Sequence, residues 1–208
     1  MKIYITRHSL TTWNEEKRLQ GWKNSDLTKQ GLEDAKRLGN YLKNQSFDGI
    51  YSSPLKRAKE TAQLIFPNKT IIEDDRLKEM NFGDFEGKFI DELKKEKDYY
   101  TLWNEPQGDF SIKNGETYQE VVDRVLDFIE EKYKENKKCI FITIHGMLFT
   151  VLNGLFLNLP IAHFNEVNQN IVRGCSLSLF EYNGKEFKID YIGKDDFLES
   201  RKTKISYK

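Results

Sequence analysis

Cysteine is scarce in this chain: 208 residues contain two, Cys139 and Cys175. Two thiols exclude a disulfide framework, and Cys139 opens an apolar run, so a reducing cytoplasm is the simplest compartment. Net charge is missing too. Lys+Arg and Asp+Glu stand at 33 each, which leaves no surface-wide basic footprint, and no nucleic-acid partner is expected. No run approaches the roughly 20 apolar residues of a transmembrane helix. The four residues between Lys2 and Arg7 are too few for the apolar region of a signal peptide, so no membrane partner is expected either. What the chain does have is aromatic bulk: 14 Phe, 10 Tyr and 3 Trp. That material excludes wholesale disorder even with 32% charged residues. The length suits a single domain over 1–208, with room for an inserted cap.

Strand and helix signals alternate along the chain. Lys2 to Thr6 reads as a strand, and Leu27-Thr28 opens a helix, capped by Thr28, that runs to about Asn44. Gly49 to Ser52 is a short strand. Ser53-Pro54 predicts the next helix, with Ser as cap and Pro at the first helical position, ending near Phe66-Pro67. Thr70 to Ile72 is a third strand candidate. Lys88 to Tyr100 is helical and charged, and Asn104 to Gly115 is a loop. Thr117-Tyr-Gln-Glu120 is a capping box ahead of Val121, Val125, Phe128 and Ile129 at helical spacing. Cys139 to Ile144 is continuously apolar, as a strand buried on both faces requires, and Gly146 to Leu157 is an apolar helix. Asn183-Gly184 joins two final strands as a hairpin. The pattern predicts an α/β fold: a three-layer α/β/α sandwich around a mainly parallel sheet that ends in an antiparallel hairpin. Residues 84–116 are expected to cap the site. The hairpin's open edge leaves a homodimer as a candidate assembly.

Ligands of open α/β sheets bind beyond the carboxyl ends of the strands. His8 follows the first strand and His145 the most apolar one. Arg7 adjoins His8, and Arg57 lies in the first turn of a helix that follows Tyr51-Ser52. Cations gathered there, beside helix N-termini, describe a cradle for a phosphate or carboxylate. One anion–cation contact at about 4 Å is worth roughly 4 kcal/mol at an effective dielectric near 20. Cations packed together without an anion repel by a similar amount, so the arrangement asks for an anionic ligand.

Arg7-His8-Ser9-Leu10-Thr11-Thr12-Trp13-Asn14 resembles the R-H-G-E-T-x-W-N signature of the histidine phosphatase superfamily, which includes the cofactor-dependent phosphoglycerate mutases. Gln20-Gly21-Trp22, Leu27-Thr28 and Gly31 follow at the family's offsets. Ser52-Ser53-Pro54-Leu55-Lys56-Arg57-Ala58 with Thr61-Ala62 is similar to its S-S-x-L-x-R-A-x-x-T-A block. Leu77 to Gly87 is similar to its L-x-E-x-x-F-G-x-[WF]-E-G block. Gly115-Glu116-Thr117 and His145-Gly146 complete the series, colinear from about residue 1 to 155.

The resemblance implies a phosphoglycerate mutase-like fold and a phosphohistidine mechanism. His8 would be the nucleophile, suited to it as an imidazole whose ordinary pKa near 6.5 leaves it partly neutral at pH 7. Glu79 would be the general acid for the leaving alkoxide, which requires a raised pKa beside the phosphate charge. His145 completes the catalytic set. Arg7, Asn14 and Arg57, with Gln20, Gly21 and Gly146, would bind the phosphate and stabilise charge in the transition state. Protein cations do the neutralising, so no metal and no other cofactor is expected. Glu86 reads as a structural partner within its motif, Trp13 and Trp22 as packing residues or pocket rim, and His163 as structural.

Ser9 and Leu10 depart from the family pattern, where Gly and Glu stand. Gly at the first position allows close backbone approach to the phosphate. Ser is small enough to fit there or to add a contact, and Leu10 removes a carboxylate from behind the site. Asn24 and Asp26 stand where Asp and Pro are common. The implied activity is a metal-independent phosphatase of the histidine acid phosphatase type, acting on a small-molecule phosphomonoester. The Glu79 to Gly87 segment resembles the phosphatase branch. A phosphoglycerate mutase is the alternative, and a phospho-ligand binding protein with weakened catalysis is a second one. Substrate choice falls to segments 84–116 and 158–175.

Overall fold

The computed structural model describes residues 1–167 and 172–199. In chain order the elements are β1 (Lys2–Arg7), α1 (Thr12–Glu15), α2 (Lys29–Tyr41), β2 (Gly49–Ser52), α3 (Lys56–Ile65) and β3 (Ile72–Glu73). Then come α4 (Ile90–Leu93), α5 (Lys97–Asn104), α6 (Tyr118–Lys134), β4 (Cys139–Ile144), α7 (Gly146–Phe156), α8 (Phe164–Val167), β5 (Leu177–Tyr182) and β6 (Phe187–Lys194). The described strands form one sheet in the order β3-β2-β4-β1-β5-β6. The first four run parallel, β5 pairs antiparallel with β1, and β6 pairs antiparallel with β5. This is the three-layer, mainly parallel sandwich with a terminal hairpin that the alternation predicts.

The period of two in the strands divides the core. Ile140, Ile142 and Ile144 of β4 join Ile3 and Ile5 of β1 beneath α6 and α7, through Val121, Val125, Phe128, Leu148 and Leu152. Phe141 points to the opposite face and packs with Ala35 and Leu38 of α2 and Ile65 of α3. Phe47 and Phe66 set edge-on rings 5.5 and 4.9 Å from the Phe141 ring, the favoured geometry for aromatic quadrupoles. Both faces of β4 are therefore dry, as its unbroken apolar run requires. Among the described residues no single helix is long and apolar enough to cross a membrane.

Helix starts follow their caps where a polar oxygen reaches a free N–H. The Thr28 side chain accepts from Gly31 N, and Thr117 and Glu120 close the expected capping box. The start of α3 corrects the sequence reading. Its N-cap is Leu55, and the Ser53 hydroxyl caps a turn instead, accepting from Leu55 N at 3.2 Å. Leu55 keeps extended backbone, so the helix begins at Lys56, two residues later than the Ser-Pro pattern predicts. The Lys88–Tyr100 helix is in fact two short ones, α4 and α5, and the third strand shifts to Ile72–Glu73.

The parallel register sets the ends of β1, β2 and β4 side by side. Arg7 lies opposite Ile144, and Ser52 opposite Thr143. The ladder runs one residue further, with His8 N donating to Ile144 O and Ser53 N to Thr143 O. α2 closes on this edge through Gly31, where an added Cβ would sit 2.3 Å from Leu10 O. Gly31→Ala is expected to lose about 1–3 kcal/mol through this backbone clash. In an open helix position the same change would gain about 1 kcal/mol. Urea unfolding of the two proteins checks the sign.

Candidate active site

His8 leaves the end of β1 and His145 the end of β4. Their rings meet with centroids 5.3 Å apart, though the residues are far apart in sequence. Both are buried. His8 Nδ1 lies 2.8 Å from Ser9 O. A carbonyl oxygen only accepts, so Nδ1 carries the proton and Nε2 presents a lone pair. Burial pushes the His8 pKa well below its ordinary 6.5, and the Arg57 and Arg7 guanidinium groups add to that; the Ser9 contact opposes it. His145 is likewise pushed well below 6.5 by burial, then by Arg57 and His8. Neither of its ring nitrogens has a partner among the described residues. A buried imidazole in that condition points to a ligand.

The cations are held by backbone carbonyls. Arg57, almost fully buried, donates from Nη1 to Lys23 O at 2.8 Å and Asn24 Oδ1 at 3.2 Å, and from Nη2 to Gly21 O at 2.7 Å. It thereby fixes the 21–24 loop against the site. Arg7 Nη1 donates to Val172 O at 3.2 Å. Asn14 Oδ1 accepts from Thr11 N and the Thr11 hydroxyl, so its amide turns donors toward the pocket it lines. The Gln20 amide binds loop partners, with Nε2 donating to Thr11 Oγ1 and Oε1 accepting from Ser25 Oγ.

Glu79 is buried at the N-terminus of α7. Its Oε1 accepts from Met80 N and Leu148 N at 3.0 and 2.9 Å, and Oε2 accepts from Met147 N at 3.1 Å. A helix start offers N–H groups with no intrahelical partner, and this carboxyl group takes two of them. Arg7, His8, Asn14, Gln20, Gly21, Arg57, Glu79 and Gly146 line one pocket, with His145 packed on His8.

The remaining sequence candidates fall outside that group. Glu86 serves backbone, accepting from Trp22 N, Phe82 N and Lys23 N. Trp22 donates Nε1 to Glu79 O. His163 is exposed and pairs with Glu166 at 2.6 Å. The Ser9 hydroxyl donates to Gly31 O at 2.7 Å, and Ser9 does not line the pocket. Asn24 supports Arg57, and Asp26 pairs with Lys56.

Some contributors have no local sequence signature. Arg124 of α6 clamps the Glu79 segment, donating to Arg76 O, Lys78 O and Glu79 O while paired with Glu116. The Thr61 hydroxyl accepts from Ser9 N and donates to Arg57 O, tying the loop after His8 to α3. Gly174 presses on the loop from the other side: a Cβ there would lie 2.6 Å from His8 O. The outer wall holds Leu19, Phe82, Ile90, Tyr99, Trp103 and Met147.

The depressed histidine pKa values have a thermodynamic consequence. An unfolded chain protonates His8 and His145 near pH 6.5, whereas the folded chain resists until the pH is lower. This stability is full above pH 6.5 and is lost as the pH falls below it toward the folded values. Each histidine contributes a slope of up to about 1.4 kcal/mol per pH unit between about pH 6 and 5. Urea unfolding in phosphate-free buffer should show a shallower slope in His145→Gln than in the wild type.

A profile of the Histidine phosphatase superfamily (branch 1) matches residues 3–195. The Probable phosphoglycerate mutase GpmB of Salmonella choleraesuis (strain SC-B67) is 31% identical over 193 residues, which cover 90% of this chain and 87% of that protein. The Putative phosphoserine phosphatase 2 of Hydrogenobacter thermophilus is 33% identical over 148 residues, 70% of this chain and 73% of that one. Among solved structures, Bacillus stearothermophilus YhfR superposes with a TM-score of 0.86 at 31% identity, covering 95% of this chain and 99% of its own. With the profile spanning nearly its whole length, the chain belongs to the histidine phosphatase superfamily, branch 1.

Proposed function

We propose that the protein is a phosphomonoester hydrolase that works through a phosphohistidine on a small phosphorylated metabolite, with no metal. The observation that carries this reading is His8: neutral, buried, with Nδ1 held by Ser9 O and Nε2 presented beside Arg7, Arg57 and His145. A neutral imidazole with its second nitrogen fixed is a nucleophile aimed in one direction.

In the first half-reaction Nε2 of His8 attacks phosphorus, an N–P bond forms and the P–O bond to the alcohol breaks. Arg7, Arg57, Asn14 and His145 hold the equatorial oxygens, where charge must be stabilised. Burial, and then the neighbouring cations, hold His145 neutral, and the negative charge of an arriving phosphate favours a proton on that ring. Glu79 enters this step as the neutral carboxyl, its oxygens still accepting from the Met80, Met147 and Leu148 N–H groups, and gives its proton to the departing alkoxide. In the second half, water attacks phosphorus, the N–P bond breaks, inorganic phosphate leaves and the water proton returns to Glu79. Segment 84–116 acts as the cap, contributing Ile90, Tyr99 and Trp103 to the pocket wall.

The mutase reading is favoured by one observation, the 31% identity to a Probable phosphoglycerate mutase. A mutase must protect phosphohistidine from water for re-transfer. One assay separates the two readings: 3-phosphoglycerate with 2,3-bisphosphoglycerate, scored for isomer or free phosphate. Free phosphate is the expected product.

His8→Ala is expected to abolish hydrolysis of p-nitrophenyl phosphate and the acid-labile, base-stable phosphoenzyme trapped on quenching. His163→Ala should keep its rate within a few-fold, and EDTA should leave the wild-type rate in place. Equal losses in the two variants would overturn the assignment. Glu79→Gln should lower turnover of an alkyl phosphate by about 10²–10⁴-fold, the usual range for general acid catalysis. It should slow p-nitrophenyl phosphate far less, because that leaving group departs without a proton.

A further inference from the structure

Beyond its phosphate-binding floor the pocket changes chemistry. The outer wall is made by Leu19, Phe82, Ile90, Tyr99, Trp103 and Met147, without a carboxylate or ammonium group among them. Tyr99 and Trp103 come from α5 with ring centroids 5.9 Å apart, and Phe82 lies 6.1 Å from Trp103. With Leu19, Ile90 and Met147 these rings supply the apolar part of the pocket's lining.

Arg18 is the charged side chain lining this outer region among the described residues, and it is engaged. Its Nε donates to Glu16 Oε2 at 2.7 Å, its Nη1 to Gly87 O at 3.1 Å, and its guanidinium stacks 3.9 Å over Phe89. A carboxylate on the substrate would have to leave water beside apolar side chains and compete with Glu16 for that one cation, which is unfavourable. An apolar ring would instead be released from water and stack on Trp103 and Tyr99. The buried Trp103 Nε1 has no partner among the described residues.

We propose that this site selects phosphomonoesters of apolar, ring-bearing alcohols over those of small carboxylate-bearing alcohols. The proposal rests on the hydrolase reading for its chemistry, yet selection can be measured without turnover. Non-hydrolysable phosphonates keep the dianionic head and vary only the tail, so calorimetric titration of the full chain with benzylphosphonate and with 3-phosphonopropionate tests it directly.

Benzylphosphonate is expected to bind at least about tenfold more tightly, the scale of burying one ring. Trp103→Ala should cut that ratio by about fivefold or more, and Trp103→Phe should retain most of it. Equal affinities, or tighter binding of 3-phosphonopropionate, would overturn the proposal whether or not the protein turns substrate over. Among substrates, a kcat/KM for benzyl phosphate about tenfold above that for O-phosphoserine supports it, and the reverse order counts against it. Selective binding of benzylphosphonate with no phosphate released from any ester would uphold the selection and overturn the hydrolase reading alone.

Discussion

The site depends on burying two guanidinium groups beside two imidazoles. Arg57 and Arg7 are removed from water, and backbone carbonyls of Lys23, Gly21 and Val172 replace part of their hydration. Burial first, and then the neighbouring guanidinium charges, disfavour a proton on either ring, so His8 and His145 stay neutral well below the pH at which free imidazole protonates. One electrostatic constraint thus keeps the proposed nucleophile unprotonated and makes an anion the natural guest. The surrounding architecture serves that constraint: β1, β2 and β4 deliver the groups, Arg124 and the start of α7 hold Glu79, and Thr61 ties the nucleophile's loop to the helix that carries Arg57.

Much of this was legible in the chain because the signals are local. The unbroken run at Cys139–Ile144 marks a strand dry on both faces, Thr28 and Thr117 mark helix starts, and Asn183-Gly184 marks a hairpin. Parallel strands then dictate that residues just past their ends share one edge, which is why His8 and His145 could be paired before any coordinates. The failures are equally physical. Ser53 has the composition of a helix cap, but Leu55 keeps extended backbone and the Ser53 hydroxyl caps a turn. Arg124 and Gly174 act on residues 45 and 166 positions away, from Glu79 to Arg124 and from His8 to Gly174, and such contacts leave no mark in local periodicity. The aromatic outer wall depends on how α5 lies over the sheet edge, which tertiary packing alone decides. Of the 158–175 segment, residues 168–171 lie outside the described structure.

Ser9 illustrates how a departure from a family pattern can be absorbed. Its hydroxyl binds Gly31 O on α2 while its carbonyl holds the His8 ring and its N–H binds Thr61. The side chain that glycine would lack here faces the helix layer, and the bond it makes lies on the far side of the residue from the work of the nucleophile.

The position of β1 in the sheet has a consequence for biosynthesis. Among the described strands, β1 lies between β4 and β5, so both of its neighbours are made long after it. Until they arrive, the segment that holds β1 presents unpaired, aggregation-prone edges. Such long-range pairings slow folding, because distant chain segments must meet before any ladder bond forms. The proposed phosphoryl transfer therefore cannot begin before β4 has been made and has paired with β1, because His8 and His145 meet only across that pair.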